Sequence, residues 1–191
     1  MPILINSNRP LQEFVFRRIR NITFKGVSVE FKDRVLSLLD ELGIVYRWVD
    51  HPAVFTVSES MNQLEGKRPT KNLVLQDKTG RCVMVVMDGI TRLDAKKISA
   101  ELGVKKLTFA KPEMLMETLG VTPGSVSIFG LLNDSAKEMD VVLDSNILGP
   151  DEIGFHPNDN TASILIPGNS LEKIVVACGH TPHIMDLSNH P

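Results

Sequence analysis

Two largely apolar runs, at residues 73–76 and 81–87, constrain the fold of this chain more than any other feature. Only Asp77-Lys78-Thr79-Gly80 separates them, a tetrapeptide with turn-forming side chains and a glycine suited to a positive φ. Runs this close together pair as an antiparallel hairpin, because a parallel connection needs a crossover of about a dozen residues. We therefore predict a β-hairpin near the middle of the chain, within a mostly antiparallel sheet.

Apolar periodicity and capping residues predict the other elements. Ser28 and Asp94 suit helix N-caps, Pro112 suits a first helical turn, and Gly43 and Gly120 suit helix ends. Helices are predicted at residues 28–42, 56–64, 94–102, 112–119 and 170–178, and strands also at 44–49, 105–110, 126–132, 141–143, 161–166 and 183–187. A polar loop at 133–138 is expected to join two of these strands as a second hairpin. The pattern favours an α+β domain, with a mostly antiparallel mixed sheet flanked by helices.

Composition narrows the class of protein. The chain has 191 residues, of which 42% are hydrophobic, enough for one domain with a substantial core. Its longest apolar stretches, such as residues 174–178, are far shorter than the ~20 residues that cross a bilayer. Cys82 and Cys178 lie in apolar runs, which excludes a disulfide framework. With no secretory signal pattern at the N-terminus, we expect a cytoplasmic protein without a membrane partner.

Charge is distributed unevenly along the chain. The formal net charge is −2, yet residues 1–27 hold five basic side chains and only Glu13 as an acid, a local charge of +4 that leaves −6 for the remainder. We predict a basic N-terminal extension at 1–27 and a folded domain at 28–191. The extension is either a solvated arm or a contact for tRNA or phosphate. The acidic domain argues against binding nucleic acid by bulk electrostatics alone.

Familiar catalytic motifs are absent. The segment at 120–125 resembles a phosphate loop but lacks the Gly-Lys-Ser/Thr ending. Cys178, His180 and His183 do not have the spacing of a zinc site. No Gly-x-Ser-x-Gly nucleophile elbow exists. We expect no metal and no cofactor.

A small set of polar residues remains as candidate machinery. Lys71 and Asn72 lie at the start of a buried strand, where a lysine is costly unless it meets an anion or a carbonyl. The loop at 124–127 presents backbone N–H groups with little side-chain obstruction, which suits an oxyanion or a phosphate. His156 stands beside a rigid proline. Each residue also has a purely structural interpretation, as an edge lysine, a turn or a loop histidine.

Four segments, taken in order, carry a resemblance to a known family. They are His51-Pro52-Ala53-Val54-Phe55, Thr70-Lys71-Asn72-Leu73, the run from Leu119 to Leu131, and Phe155-His156-Pro157. Together they resemble the YbaK/prolyl-tRNA synthetase-associated domain family, and most closely its free-standing prolyl-tRNA editing proteins. The resemblance covers about residue 29 to the C-terminus and leaves the basic extension outside.

The resemblance implies a YbaK-like fold, whose mixed sheet is partly closed and barrel-like. It implies a trans-editing aminoacyl-tRNA deacylase that hydrolyses mischarged tRNA(Pro), with alanyl-tRNA(Pro) as the first candidate substrate. Its partner would be the acceptor end of tRNA(Pro), and prolyl-tRNA synthetase or an elongation factor would be further partners. The alternatives are hydrolysis of cysteinyl-tRNA(Pro) or another mischarged tRNA, a non-catalytic tRNA- or synthetase-binding module, and an enzyme for a small molecule.

The family's functional positions fall on named residues of this chain. Catalysis would use Lys71 and the backbone of Gly124, Ser125, Val126 and Ser127, and substrate binding would use Val54, Phe55, Met61, Asn72, Ile128 and His156. In the wider superfamily the loop is Gly-x-x-x-Pro, whereas Ile128 holds its last position here. The positive charge that meets the tRNA is expected to be concentrated at Lys67, Arg68 and Lys71.

Overall fold

The computed structural model describes residues 29–53, 64, 67–158 and 161–188. The helices are α1 (Val29–Glu41), α2 (Ala95–Glu101), α3 (Pro112–Leu119) and α4 (Leu171–Ala177). The strands are β1 (Arg47–Asp50), β2 (Arg68–Gln76), β3 (Cys82–Asp88), β4 (Thr108–Phe109), β5 (Asp140–Asp144), β6 (Glu152–Phe155), β7 (Ala162–Pro167) and β8 (Pro182–Met185). Three short 3-10 helices occupy Ile128–Leu132, Ser145–Ile147 and Gly168–Ser170. The predicted extension at 1–27 and nearly all of the predicted helix at 56–64 lie outside the described residues.

The predicted central hairpin is confirmed. β2 and β3 pair antiparallel along their shared length. In the turn, the carboxylate of Asp77 accepts hydrogen bonds from the backbone N–H groups of Thr79 at 2.7 Å and Arg81 at 3.1 Å. Gly80 has a φ of +95°, a conformation that glycine adopts without a Cβ penalty. The turn residues therefore set the register of the hairpin locally.

The sheet is mixed and mostly antiparallel, as predicted. The strand order is β1-β7-β6-β2-β3-β5-β8, and β4 pairs with β2 off this path. Four pairings are antiparallel and three, β2 with β6, β3 with β5 and β5 with β8, are parallel. Within the described part of the chain β1 and β8 lie at opposite ends of this order. The sheet is therefore open, and the expected barrel-like closure is wrong.

The predicted second hairpin is also wrong. Residues 128–132 form a 3-10 helix instead of a strand, because the Ser127 hydroxyl caps it by accepting the Phe129 N–H at 3.4 Å. β5 follows this helix and pairs in parallel with β3 and β8. A side-chain cap two residues away thus overrides the strand propensity of an apolar run.

One strand, β6, was not predicted from the sequence, and one predicted strand was longer than the observed one. Strand propensity does not predict β6, because the strand has only four residues and one of them is Gly154. That glycine leaves room for the Leu64 side chain, which a β-carbon at 154 would contact too closely. The strand predicted at 105–110 is limited to the two residues of β4.

Apolar side chains cover both faces of the sheet. Along β3, Met84 and Val86 join the cluster that α1, α3 and α4 complete. Val83, Val85 and Met87 face the opposite cluster, to which α2 contributes Ile98. Burial on both faces explains why β3 is continuously apolar. None of the helices in the described residues has the length and apolar character that a bilayer crossing requires.

Candidate active site

The candidate site lies along an interruption in the pairing of β2. One edge of β2 pairs with β3 from Thr70 to Gln76. The other edge pairs with β6 at residues 68–69 and with β4 at residues 75–76. In the described residues no strand pairs with this second edge at positions 71–74, which we call the open edge.

A cavity of about 490 Å³ lies against the open edge. It is lined by Leu64, Pro69, Thr70, Lys71, Asn72, Leu73, Val74, Phe109, Ala110, Leu115, Pro123, Gly124, Val126, Gly154, His156 and Ser163. The Val74 carbonyl accepts the Ala110 N–H at 2.9 Å on this edge. Because alternate residues of a strand direct their backbone groups to the same edge, the N–H and C=O of Asn72 also point to the open edge.

Lys71 is the basic residue among those that line this cavity. Its side chain is partly buried, and its ammonium donates a hydrogen bond to the Thr91 carbonyl at 3.1 Å, in the loop after β3. Among the described residues no carboxylate lies within 4.0 Å of the ammonium. A neutral carbonyl is a weaker partner for an ammonium than an anion is. The positive charge of Lys71 is therefore available to an incoming anionic or polarised group.

Asn72 connects the strand to the glycine loop. Its side-chain oxygen accepts the Ile128 N–H at 3.1 Å, and its amide nitrogen donates to the Thr70 hydroxyl at 3.3 Å. The Thr70 hydroxyl in turn donates to the Gly154 carbonyl on β6 at 2.8 Å. These three bonds hold β2, β6 and the segment after the loop in one arrangement.

The glycine loop divides into residues that face the cavity and residues that do not. Gly124, with a φ of +92°, and Val126 line the cavity. Ser125 does not line it, and its N–H is bonded to the Thr122 carbonyl at 3.1 Å. In the part of the chain that the structure describes, the N–H groups of Gly124 and Val126 have no acceptor. Two backbone donors at the cavity are thus available to a ligand.

Ser127 and Ile128 lie in the protein interior, directly after the part of the glycine loop that lines the cavity. Both are fully buried and neither lines the cavity. Ser127 caps the 3-10 helix, and Ile128 packs in the larger core cluster. A proline at position 128 would have no N–H to donate to Asn72. In this chain a hydrogen bond therefore holds the loop where the wider superfamily has a proline.

A histidine cluster that the sequence reasoning did not assemble borders the cavity. His156 lines it directly after β6, and its ring centroid lies 6.0 Å from that of His51. The buried His51 has Nδ1 at 2.8 Å from the Pro52 carbonyl and Nε2 at 2.9 Å from the hydroxyl of Ser163, another lining residue. Since a carbonyl only accepts, Nδ1 is the donor in the contact with Pro52. The His51-Pro52 pair was a visible signal, whereas Ser163 is hidden within an apolar strand.

Other candidate residues have different positions. Val54, Phe55 and Met61 lie outside the described residues, so their place relative to the cavity stays a prediction. Cys178 and His180 are buried in the core, where desolvation raises the pKa of the Cys178 thiol to about 11. Phe109 lines the cavity and was not predicted as a site residue. The signal for it would have been an aromatic residue among lysines in the sequence Lys105-Lys106-Leu107-Thr108-Phe109-Ala110-Lys111.

The expected cationic patch is largely neutralised. Lys67 forms an ion pair with Glu152 at 3.4 Å, and Arg47 binds the same carboxylate at 3.0 Å. The Arg47 hydrogen bond is the main reason that the pKa of Glu152 is lowered, and Lys67 adds to it. Arg68 pairs with the buried Asp88. Of the three basic residues predicted to meet the tRNA, only Lys71 has no carboxylate partner among the described residues.

The architecture is that of a known class of fold. A solved structure of a candidate trans-editing enzyme for prolyl-tRNA synthetase superposes with a TM-score of 0.67 at 22% identity, covering 86% of this chain and 99% of that one. Residues 51–174 match the family model of the aminoacyl-tRNA editing domain. The chain therefore belongs to the aminoacyl-tRNA editing domain family.

Full-length relatives resemble the chain over most of its length. The prolyl-tRNA editing protein ProX of Acetoanaerobium sticklandii is 38% identical over 165 residues, which is 84% of this chain and 100% of the relative. The prolyl-tRNA synthetase associated domain-containing protein 1 of Danio rerio is 32% identical over 164 residues, 83% of this chain and 89% of the relative. Both alignments span nearly the whole length of the relative.

Proposed function

We propose that this protein is a trans-editing aminoacyl-tRNA deacylase that acts in the cytoplasm on mischarged tRNA(Pro), with alanyl-tRNA(Pro) as its substrate. Membership of the editing family and the similarity to a prolyl-tRNA editing protein support the reaction class. The observation that carries the proposal is the position of Lys71. Among the described residues its ammonium bonds only the Thr91 carbonyl, in the loop after β3. Lys71 lines the same cavity as Gly124 and Val126, whose N–H groups have no acceptor among the described residues.

The reaction needs positioning and polarisation more than a strong nucleophile, because an aminoacyl ester is already activated. Water adds to the ester carbonyl, and the bond to the ribose oxygen then breaks to release the amino acid and the tRNA. Lys71 would exchange its Thr91 partner for the substrate carbonyl or a neighbouring phosphate. The N–H groups of Gly124 and Val126 would stabilise the oxyanion that forms. A vicinal ribose hydroxyl of the substrate would orient the attacking water.

Asn72 acts in this scheme mainly as a positioning residue. Its side chain is committed to Ile128 and Thr70, so it fixes the loop against the strand. Its backbone C=O, which points to the open edge, is a suitable acceptor for the α-ammonium group of the substrate. His156 and the Ser163 hydroxyl, which also line the cavity, would contact the terminal ribose or the water.

Preference for alanine is the finer part of the proposal. A 490 Å³ cavity is large enough for part of a nucleoside as well as an amino acid, so its total volume does not select a side chain. Selection against proline would come from a small apolar subsite that excludes the larger ring sterically. Val54, Phe55 and Met61 remain the predicted lining of that subsite.

Deacylation of alanyl-, cysteinyl-, seryl- and prolyl-tRNA(Pro) by wild type and Lys71→Ala tests the proposal. We expect alanyl-tRNA(Pro) to be the preferred substrate. Loss of the positioned charge should cost roughly 2 to 4 kcal/mol of transition-state stabilisation, a decrease of about 30- to 700-fold in kcat/KM. Lys96→Ala is the matched control, because Lys96 is exposed on α2 and does not line the cavity.

Three results would redirect the proposal. Wild-type turnover in Lys71→Ala would refute the assigned role of the lysine. Preference for cysteinyl-tRNA(Pro) would replace alanine as the substrate. Binding of tRNA without any hydrolysis would favour the non-catalytic module.

A further inference from the structure

An exposed phenylalanine stands at the mouth of the cavity. Phe109, on β4, keeps 67% of its surface exposed and is also a lining residue. Its strand partner Leu75 is almost completely buried. The leucine therefore packs in the core, whereas the aromatic ring of Phe109 stays at the surface. An exposed aromatic ring at a pocket rim is a surface on which a nucleobase stacks.

Lysines surround this ring in the sequence. Lys105, Lys106 and Lys111 are exposed, and none forms an ion pair with the residues that the structure describes. The nearest acidic residues along the chain, Glu101 and Glu113, lie outside this segment. We call Lys105, Lys106, Phe109 and Lys111 the β4 platform.

The β4 platform contrasts with the basic residues beside β6. Lys67 and Arg68 are occupied by Glu152 and Asp88. The three platform lysines keep their charge toward solvent, although the domain as a whole is acidic. A local cationic surface of this kind is what holds a nucleic-acid strand when net charge does not.

Spacing along β2 relates the platform to the reaction centre. Phe109 pairs with Leu75, four residues from Lys71, which is about 13 Å at ~3.3 Å per residue. A nucleoside and the amino acid esterified to its ribose span a comparable distance. The ester can therefore reach Lys71 while the base lies at Phe109.

We propose that the β4 platform binds the single-stranded 3′ end of a tRNA. Phe109 stacks on the terminal base, and Lys105, Lys106 and Lys111 contact the phosphates that precede it. The inference rests on the proposed function in one respect, since it takes the ligand of the cavity to be an esterified tRNA end. It adds a recognition surface for the nucleotide to the residues that handle the ester.

The stacking contact is tested by binding of uncharged tRNA(Pro), with and without its terminal adenosine. Wild type should bind the intact tRNA about tenfold more tightly than the truncated one. Phe109→Leu, which keeps an apolar residue in the strand, should bind both equally, and Phe109→Trp should restore the difference. Ile184→Ala is the control, because Ile184 is another exposed apolar residue and lies on β8 at the far end of the strand order. Equal discrimination by wild type and Phe109→Leu would overturn the proposal.

The phosphate contacts are tested by salt dependence. Removing two contacts to a single strand lowers the magnitude of the slope of log Kd against log salt concentration by about 1.4. We expect this decrease in the Lys105→Ala/Lys106→Ala double variant and no decrease in Lys96→Ala. An unchanged slope in the double variant would remove these lysines from the platform.

Measurements of tRNA binding and of tRNA hydrolysis distinguish the proposed β4 platform from the proposed enzymatic function. If discrimination depends on Phe109 but no mischarged tRNA is hydrolysed, the platform stands and the proposed enzymatic function fails. If alanyl-tRNA(Pro) is hydrolysed and Phe109→Leu has wild-type KM and discrimination, the function stands and the platform fails.

Discussion

The two edges of β2 have opposite uses. One edge is paired with β3 over seven residues and has a turn whose side chains set its register. The other is paired only at its ends, and the unpaired stretch between them borders the cavity and carries Lys71 and Asn72. A complete ladder satisfies its own backbone groups, whereas an interrupted one leaves them for a ligand. Stability and candidate chemistry therefore occupy different sides of a single strand.

The paired edge should respond to mutation mainly through stability. Met84→Ala removes a fully buried side chain of β3, and we expect the free energy of unfolding to fall by about 2–5 kcal/mol. Chemical denaturation measures this change. Met116→Ala, at a half-exposed position on α3, should change it by much less. If Met84→Ala also altered kcat/KM of the folded fraction as strongly as Lys71→Ala does, the division between the edges would be wrong.

The open edge should respond mainly through kinetics. The loss expected for Lys71→Ala, roughly 2 to 4 kcal/mol in the transition state, should leave the free energy of unfolding nearly unchanged, because the lysine contributes one hydrogen bond to a carbonyl. Thermal unfolding of the same protein samples used for kinetics checks this. A large decrease in Tm would show that Lys71 is structural.

Asn72 contributes both to the structure of the loop and to the candidate site, because it lines the cavity and accepts the Ile128 N–H. Asn72→Ala leaves the Ile128 N–H without its acceptor, at a cost of about 1–3 kcal/mol, and should lower kcat more than it raises KM as the loop loses its position. Asn72→Asp keeps an oxygen acceptor for that N–H and should recover part of kcat. Equal loss of kcat in both variants would argue against anchoring of the loop as the role of Asn72.

The smallest effect concerns the ion pairs beside the open edge. Arg47 and Lys67 lower the pKa of Glu152 below its ordinary value of 4.5. Because the folded-state pKa is the lower one, the stabilisation is fully present above pH 4.5 and is lost as the pH falls through the folded-state pKa. It should amount to less than about 1 kcal/mol, since these side chains are partly exposed. Glu152→Gln should therefore weaken the acid dependence of unfolding slightly, and an unchanged pH profile would show that the pair is energetically neutral.

Local signals predicted the elements whose ends have strong capping or turn chemistry. The β2–β3 turn, the Asp94 cap of α2 and the Pro112 start of α3 all appear as expected, because each depends on residues within a few positions. The 3-10 helix at residues 128–132 and strand β6 were missed. The 3-10 helix has the local Ser127 cap, but Asn72 also holds it by accepting the Ile128 N–H, and Gly154 of β6 is approached closely by Leu64. Asn72 and Leu64 are distant in sequence from the segments they contact.

Part of the candidate site could be predicted from the sequence, because some of its residues belong to local motifs. Lys71, Asn72, Gly124, Val126 and His156 were singled out by motif, and they line one cavity. Ser163 and Phe109 were not, because strand pairing brings them to the cavity from other parts of the chain. Phe109 pairs with Leu75 on β2, and Ser163 lies on β7, which pairs with β1 and β6. Their proposed roles depend on where the ladder is interrupted, and no local pattern specifies that.

The family, the α+β class, the central hairpin and the glycine loop could be predicted from the sequence. They depend on the order and spacing of motif residues and on local turn chemistry. Contacts between distant residues were needed to show that the sheet is open and that Phe109 remains exposed at the cavity. The same holds for the ion pairs of Lys67 and Arg68 and for the carbonyl partner of Lys71. The physical reason is that pairing of strands and charges is settled between residues far apart in the chain. Short-range propensity carries no information about which partners meet.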